Sequence, residues 1–179
     1  ADTERMLRRI VGEDIVLESR LTPAACRIMA DATQIHQILM NLAVNARDAM
    51  PSGGRLLIRT ETVKVTDLAG FTAAEARKGH FALMTIFDTG SGMSEETLKH
   101  AFEPFLSTKA ELGTGLGLST VEGIVVQNGG FLHLDSELGE GTTFRIYLPR
   151  WGSSASPLRE APLDPNLPRL VMGDALRIQ

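Results

Sequence analysis

Between residues 31 and 50 the apolar side chains Ile35, Ile38, Leu39, Leu42, Ala46 and Ala49 recur at spacings of three and four. That is the period of a helix with one buried stripe, and it predicts a long amphipathic helix reaching Met50. Asp31 is its expected N-cap, with Gln34 three residues on as in a capping box. Pro51-Ser52-Gly53-Gly54 ends it. Elsewhere the pattern is that of strands. Residues 15–20 read as one, and Arg27-Ile28-Met29-Ala30 as a second candidate. Residues 55–66 set Leu56 and Ile58 against Arg55, Arg59 and Glu61, an alternation that reads as a strand with a polar face. His80 to Phe87 is an apolar run, predicted as a buried strand, and it leads straight into Asp88-Thr89-Gly90-Ser91-Gly92-Met93. Ser94 is the expected cap of a short helix from Glu95 to Ala101. A second amphipathic helix is predicted over Leu116 to Asn128, with Leu118, Val121, Ile124 and Val125 inward and Gly129 just past its end. Phe131–Asp135 and Thr142–Leu148, joined through Gly139-Glu140-Gly141, read as a hairpin.

The remaining stretches are less regular. Residues 1–12 are charged, with Met6, Leu7 and Ile10 on one helical face, and read as the end of a linker arriving from an upstream domain. Residues 67–79 read as a loop or a short helix around Thr72–Ala76. From Met93 to Gly113 periodicity is weak, the texture of a long functional loop. After Pro149 the composition shifts. Four of the eight prolines fall at 157, 162, 165 and 168, so residues 150–179 read as a tail or linker. Within it, Leu170 to Ile178 fits a short helix or strand, or the start of a following domain. The expected organisation is therefore a linker end over 1–12, one domain over 13–149 and the tail.

Composition narrows the function classes. The chain has 179 residues, 43% hydrophobic and 22% charged, which suits one globular domain with a full core. Its net charge of −4 offers no basic stripe, so nucleic acid is not an expected partner. No apolar run approaches the roughly 18 residues of a membrane span, and no signal peptide is visible. A cytoplasmic location without membrane contact is the simplest expectation. Cys26 is the one cysteine, which leaves no internal disulfide framework and no zinc-ligand cluster.

Two features carry candidate chemistry. Asn41, Asn45 and Asp48 fall at i, i+4 and i+7 and share one face of the first long helix. Such a face is either solvated surface or, lacking Lys or Arg partners along it, a set of oxygen ligands for a hard cation. Gly113-Thr114-Gly115-Leu116-Gly117-Leu118 places three glycines ahead of a helix. That is either a tight turn or a phosphate cradle built on the helix N-terminus. The loop follows a polar stretch and no strand, so the dinucleotide-binding fingerprint does not apply, and no Walker-type loop occurs. Asp88-Thr89-Gly90 has no second copy, which excludes a paired-aspartate protease.

Taken in order, Asn41-Leu42-Ala43-Val44-Asn45-Ala46-Arg47-Asp48-Ala49-Met50, Asp88-Thr89-Gly90-Ser91-Gly92-Met93, Phe102-Glu103-Pro104-Phe105, Ser107-Thr108-Lys109, Gly113-Thr114-Gly115-Leu116-Gly117-Leu118-Ser119 and Gly139-Glu140-Gly141-Thr142-Thr143-Phe144 form a pattern. It resembles the ATP-binding catalytic domain of bacterial sensor histidine kinases, in the superfamily shared with DNA gyrase, MutL and a heat-shock chaperone. The style resembles nitrogen-regulatory and hybrid kinases, and the resemblance covers about residues 10–149. It implies a Bergerat-type α/β two-layer sandwich, a mixed sheet with helices on one face and an ATP lid.

It also implies roles. Asp88 would accept from the adenine amino group, Gly90 and Gly92 would lie beside the base, and Thr142 would support that network. Met93 would pack the base; Ile86 fits that role or plain core. Asn45 would ligate Mg2+, with Asn41 and Asp48 as polar support. Lys109 and the backbone at Gly113, Gly115 and Gly117 would face the phosphates. Thr114, Leu116 and Leu118 would belong to the same nucleotide-binding segment, with the two leucines anchoring the following helix. Asn45 and Lys109 would be the catalytic residues. The ATPase branch places a Glu one turn before the magnesium Asn; here that position is Asn41, which cannot activate water. The resemblance thus implies a protein-histidine kinase domain. It uses ATP and Mg2+, passes the phosphoryl group to a histidine on a dimerisation/phosphoacceptor hairpin domain, and through it serves a response regulator. Of His36, His80, His100 and His133, none heads such a hairpin. A superfamily ATPase and an anti-sigma-type serine kinase are the alternatives.

Overall fold

The computed structural model describes residues 2–22, 27–65, 79–104 and 116–150. The first long helix is the organiser. It is preceded by helix α1 (Asp2–Val11) and strand β1 (Ile15–Arg20), and itself forms α2 (Ala32–Ala49). Asp31 caps α2 by accepting from the Thr33 N–H at 2.7 Å. The capping box does not close. Gln34 reaches across to a second helix instead, donating to Gln127 Oε1 at 3.1 Å and accepting from Asn128 Nδ2 at 2.9 Å. At the other end the Met50 N–H folds back onto the Arg47 carbonyl at 3.0 Å. Gly53, at φ 81, then turns the chain where a Cβ would meet the Asp14 carbonyl oxygen at 2.5 Å.

Strands β2 (Gly54–Val65) and β3 (Gly79–Asp88) follow, then the short helix α3 (Glu95–Lys99), helix α4 (Gly117–Gln127), and strands β4 (Phe131–Glu137) and β5 (Gly141–Pro149). The five strands make one mixed sheet in the order β1-β2-β3-β5-β4. Only β1 and β2 run parallel, because α2 is the crossover between them; the other pairs are antiparallel. This is the expected two-layer α/β arrangement.

The layers are held by one apolar interface. Leu7 and Val11 from α1, Ile35, Ile38 and Leu42 from α2, and Val121 and Val125 from α4 meet Leu56, Ile58, Met84, Ile86, Phe144 and Ile146 of the sheet. Burying each such side chain contributes roughly 1.5–3 kcal/mol before chain entropy is counted. Ile86 is thus core, 2% exposed. The other parity of the strands builds a smaller cluster of Val65, Phe81, Leu83, Phe131 and Tyr147, with the Phe131 and Tyr147 rings stacked at 4.5 Å.

Several expectations are corrected. Residues 27–30 are no strand; Ile28 makes only an isolated bridge with Arg150. Arg59 does not face solvent. It is 3% exposed, and burial lowers its guanidinium to about 10. Helix α3 stops at Lys99, two residues early, as the His100 N–H turns back onto Thr97 and Leu98 carbonyls. The expectations for Cys26, residues 67–78, Phe105, Ser107, Thr108 and the tail after Arg150 fall outside the described residues.

Candidate functional site

Register assembles one wall of the site. Asp88 is the last residue of β3 and stands opposite Thr142 on β5, which in turn stands opposite Ser136 on β4. All three have the parity of Ile86, Phe144 and Leu134, so they face the helices. A polar row thus crosses three strands at the end of the sheet where the core stops.

Asp88 is 5% exposed. Its Oδ1 accepts from the Gly90 N–H at 2.9 Å. Burial pushes its carboxyl above the ordinary 3.8, and the backbone N–H groups of Gly90 and Thr142 partly oppose that shift. The carboxylate keeps further acceptor capacity, which suits a ligand that brings N–H donors and not another anion.

The turn after Asp88 is built for backbone contact. At Gly90 a Cβ would lie 2.6 Å from the Ala49 Cβ and 2.7 Å from Asp88 Oδ1, and the Ser91 N–H donates to the Ala49 carbonyl at 3.0 Å. Helix α2 therefore sits directly on this turn. Gly92, at φ +64, approaches the Glu137 carbonyl so closely that a Cβ would be 1.9 Å from its oxygen. The close approach at Gly92 is thus to the protein's own backbone. Met93 packs half-buried against the core, and its N–H donates to Ser136 Oγ at 2.9 Å.

A second group of these residues lies on α2 and at the start of α4. Asn41 donates from Nδ2 to the Gly117 carbonyl at 3.2 Å, tying the two helices together. Asn45 is half-buried one turn on, its amide atoms 3.8 and 3.9 Å from where a Gly117 Cβ would sit. The missing side chain at Gly117 leaves that amide room. No side chain caps α4 at Leu116, whose carbonyl instead accepts from the Ser119 and Thr120 hydroxyls at 3.1 and 2.7 Å. Among the described residues no side chain meets the first N–H groups of α4, where the positive end of the helix dipole favours an anion. Asp48 departs from the expected stripe without cations, because Arg47 contacts its carboxylate at 2.9 Å.

Asp88, Gly90, Gly92, Met93 and Thr142 thus meet at the end of the sheet, Asn41 and Asn45 meet the start of α4 at Gly117, and α2 joins the two groups where Ala49 packs on Gly90; Leu116 and Leu118 flank Gly117. Lys109, Gly113, Thr114 and Gly115 lie outside the described residues. Among the described residues no three His, Cys, Asp or Glu gather as a metal site. A magnesium ion held largely by phosphates and water needs no such cluster, and a single carboxamide such as Asn45 fits it. The sequence reading missed Ser136. Counting back from the Gly139-Glu140-Gly141 turn along the hairpin places it opposite Thr142, which is the signal that was available.

Comparison with known proteins adds an independent line. Residues 30–152 match the family described as histidine kinase-, DNA gyrase B-, and HSP90-like ATPase. The chain is 44% identical over 151 residues to the sensor kinase CckA of Brucella abortus, covering 84% of this chain and 16% of that protein. Across the first curated relatives the chain spans 16% to 30% of their length. Among solved structures it is similar to a mycobacterial sensor histidine kinase MprB, with a TM-score of 0.65 and 26% identity over 83% of this chain and 91% of that one. It is also similar to full-length ShkA in complex with AMPPNP, with a TM-score of 0.63 and 28% identity over 88% of this chain and 30% of that one. The five-stranded sheet and its helix layer are therefore the Bergerat-type fold of these kinases.

Proposed function

The chain belongs to the family of histidine kinase-, DNA gyrase B- and HSP90-like ATPases, and from that premise we propose that it is the ATP-binding catalytic part of a sensor histidine kinase. The observation that carries the nucleotide reading is the buried Asp88. Its carboxylate is fixed by Gly90, has acceptor capacity to spare, and ends a strand whose following turn packs on α2 at Ala49. Asp88 accepts from the adenine amino group, with Gly90, Gly92, Met93 and Thr142 shaping that end. The first turn of α4 and the preceding Lys109, Gly113, Thr114 and Gly115 take the phosphates. Asn45 ligates Mg2+, and Asn41 holds the start of α4 in place.

Asn41 also separates kinase from ATPase. A general base is worth roughly 10²–10⁴-fold in rate. Asn41 has no basic atom, and its amide is committed to the Gly117 carbonyl. Slow hydrolysis and transfer to another group follow. The chain's own histidines are poor acceptors. His36 meets Thr3, His100 meets Glu103, His133 meets Asp135, and His80 is half-buried within β3. The acceptor is a histidine on a dimerisation/phosphoacceptor hairpin domain, and the phosphoryl group passes on to a response regulator. The setting is cytoplasmic; among the described residues no helix is long and apolar enough to cross a membrane.

The test is binding followed by transfer. Calorimetry should show ADP and ATP binding in the presence of magnesium. Labelled ATP should leave this chain unlabelled and label an added hairpin domain. Absence of nucleotide binding would overturn the reading, and label on this chain alone would overturn the missing-acceptor argument.

A further inference from the structure

Ser136 has three hydrogen-bond neighbours and one proton. Its Oγ accepts from the Met93 N–H at 2.9 Å, donates to the Gly141 carbonyl at 2.9 Å, and lies 3.0 Å from Thr142 Oγ1. A carbonyl oxygen can only accept, so the Ser136 proton is committed to Gly141. The contact with Thr142 then has one possible sense: Thr142 donates and Ser136 accepts. Among the described residues the Thr142 hydroxyl makes no other hydrogen bond. Its proton points along the row toward β4, and it keeps only lone pairs for any other neighbour. Directly across the strand pair stands Asp88, also an acceptor when ionised.

We infer that Ser136 is a specificity-determining positioning residue, which holds the Thr142 hydroxyl as an acceptor beside Asp88 so that the site takes a 6-amino purine and rejects a 6-oxo purine. This rests on the reading of Asp88 as the adenine-binding carboxylate. The chemistry is that of two adjacent acceptors. An amino group at the purine 6-position is a donor, whereas the 6-oxo group of guanine is a third acceptor. Two acceptors facing a third leave buried polar groups unpaired, which is the strongest form of discrimination a small site can build. Without Ser136 the Thr142 hydroxyl is free to rotate and donate, and it can then satisfy the 6-oxo group. Ser136 touches no ligand in this account; it acts through Thr142, and through the Met93 N–H it also fixes the turn beside the base.

The experiment measures dissociation constants of Mg·ADP and Mg·GDP by calorimetry for the wild-type chain, Ser136→Ala, Ser136→Thr and Thr142→Val. Wild type should prefer ADP. Ser136→Ala should reduce the ADP-to-GDP preference by roughly tenfold. Ser136→Thr, which keeps a hydroxyl at the same place, should restore it. Thr142→Val removes the acceptor without changing the side-chain shape and should also lower the preference, so it decides the matter if Ser136→Ala does not fold. A preference unchanged in Thr142→Val, or in a folded Ser136→Ala, overturns the inference while leaving nucleotide binding intact. A folded Ser136→Thr that fails to restore a lost preference overturns it too. If wild type binds neither nucleotide, the reading of Asp88 fails first and this inference with it.

Discussion

Asp88→Asn separates the effect of a buried charge on the fold from its effect on a ligand. The carboxylate is 5% exposed, and burial raises its pKa above 3.8 despite the opposing N–H groups of Gly90 and Thr142. The folded state therefore binds the proton more tightly than the unfolded chain does. Stability associated with this group is present at low pH and is lost as pH rises through the window above 3.8. At neutral pH the ionised group is a net burden on the fold. An asparagine removes the charge and can still accept from the Gly90 N–H through its Oδ1, the bond seen at 2.9 Å. The variant should thus be at least as stable as wild type at neutral pH, and its advantage should shrink as the pH falls toward about 4. Binding should go the other way. A hydrogen bond to a charged group is worth about 1.5–3 kcal/mol, and the new amide N–H would face a donor, so affinity for ADP should fall by roughly 10–150-fold. Thermal unfolding across pH gives the first readout and calorimetry the second. Affinity comparable with wild type, or a lower unfolding temperature at neutral pH, would refute the reasoning.

Two further substitutions probe how the site is framed. Gly92→Ala puts a Cβ within 1.9 Å of the Glu137 carbonyl oxygen at a φ of +64, so stability should fall by about 2 kcal/mol or more, read as the urea midpoint; an unchanged midpoint would remove Gly92 from this packing role. Asp135 is held well below the usual carboxylate range by a hydrogen bond from His133 and by Arg145. Because this cluster is half-exposed, Asp135→Asn should lose no more than about 1 kcal/mol at neutral pH. The difference should fade in high salt and as pH drops below 3.8, where the unfolded chain's carboxylate takes up a proton that the native one still refuses. Equal stability of the two chains in low salt at neutral pH would show that the cluster contributes nothing.

Most elements were legible because their signals are local. The stripe Ile35, Ile38, Leu39, Leu42 and Ala46 needs only the helical period, and all five are buried. The apolar run into Asp88 announced a strand enclosed on both sides, and β3 indeed lies between β2 and β5. What failed depended on partners far along the chain. Gln34 has the spacing of a capping box, yet Gln127 at the end of α4 and Asn128 just past it, 93 and 94 residues away, offer it better-placed bonds. Arg59 follows a polar alternation, yet it is buried on a sheet whose second face carries an apolar cluster of its own. No period reveals that the second face is covered.

The same distinction explains why the site was found through its glycines and its aspartate but not through Ser136. Asp88, Gly90 and Gly92 announce themselves by composition and by their place at a strand end. Ser136 is an ordinary strand serine until register is known. Once β5 lies between β3 and β4, Asp88, Thr142 and Ser136 become cross-strand neighbours, and the direction of one proton follows from the Gly141 carbonyl that Ser136 must serve. The acceptor character of the site is then a property of the sheet, not of any single residue in it. A change of register in β4 by one residue would turn Ser136 to the opposite face, free the Thr142 hydroxyl and unfasten the Met93 turn together. For that reason the closed turn at Leu138–Glu140, where the Gly139 N–H donates to the Ser91 carbonyl at 2.8 Å, belongs to the site's machinery: it locks the register on which the row depends.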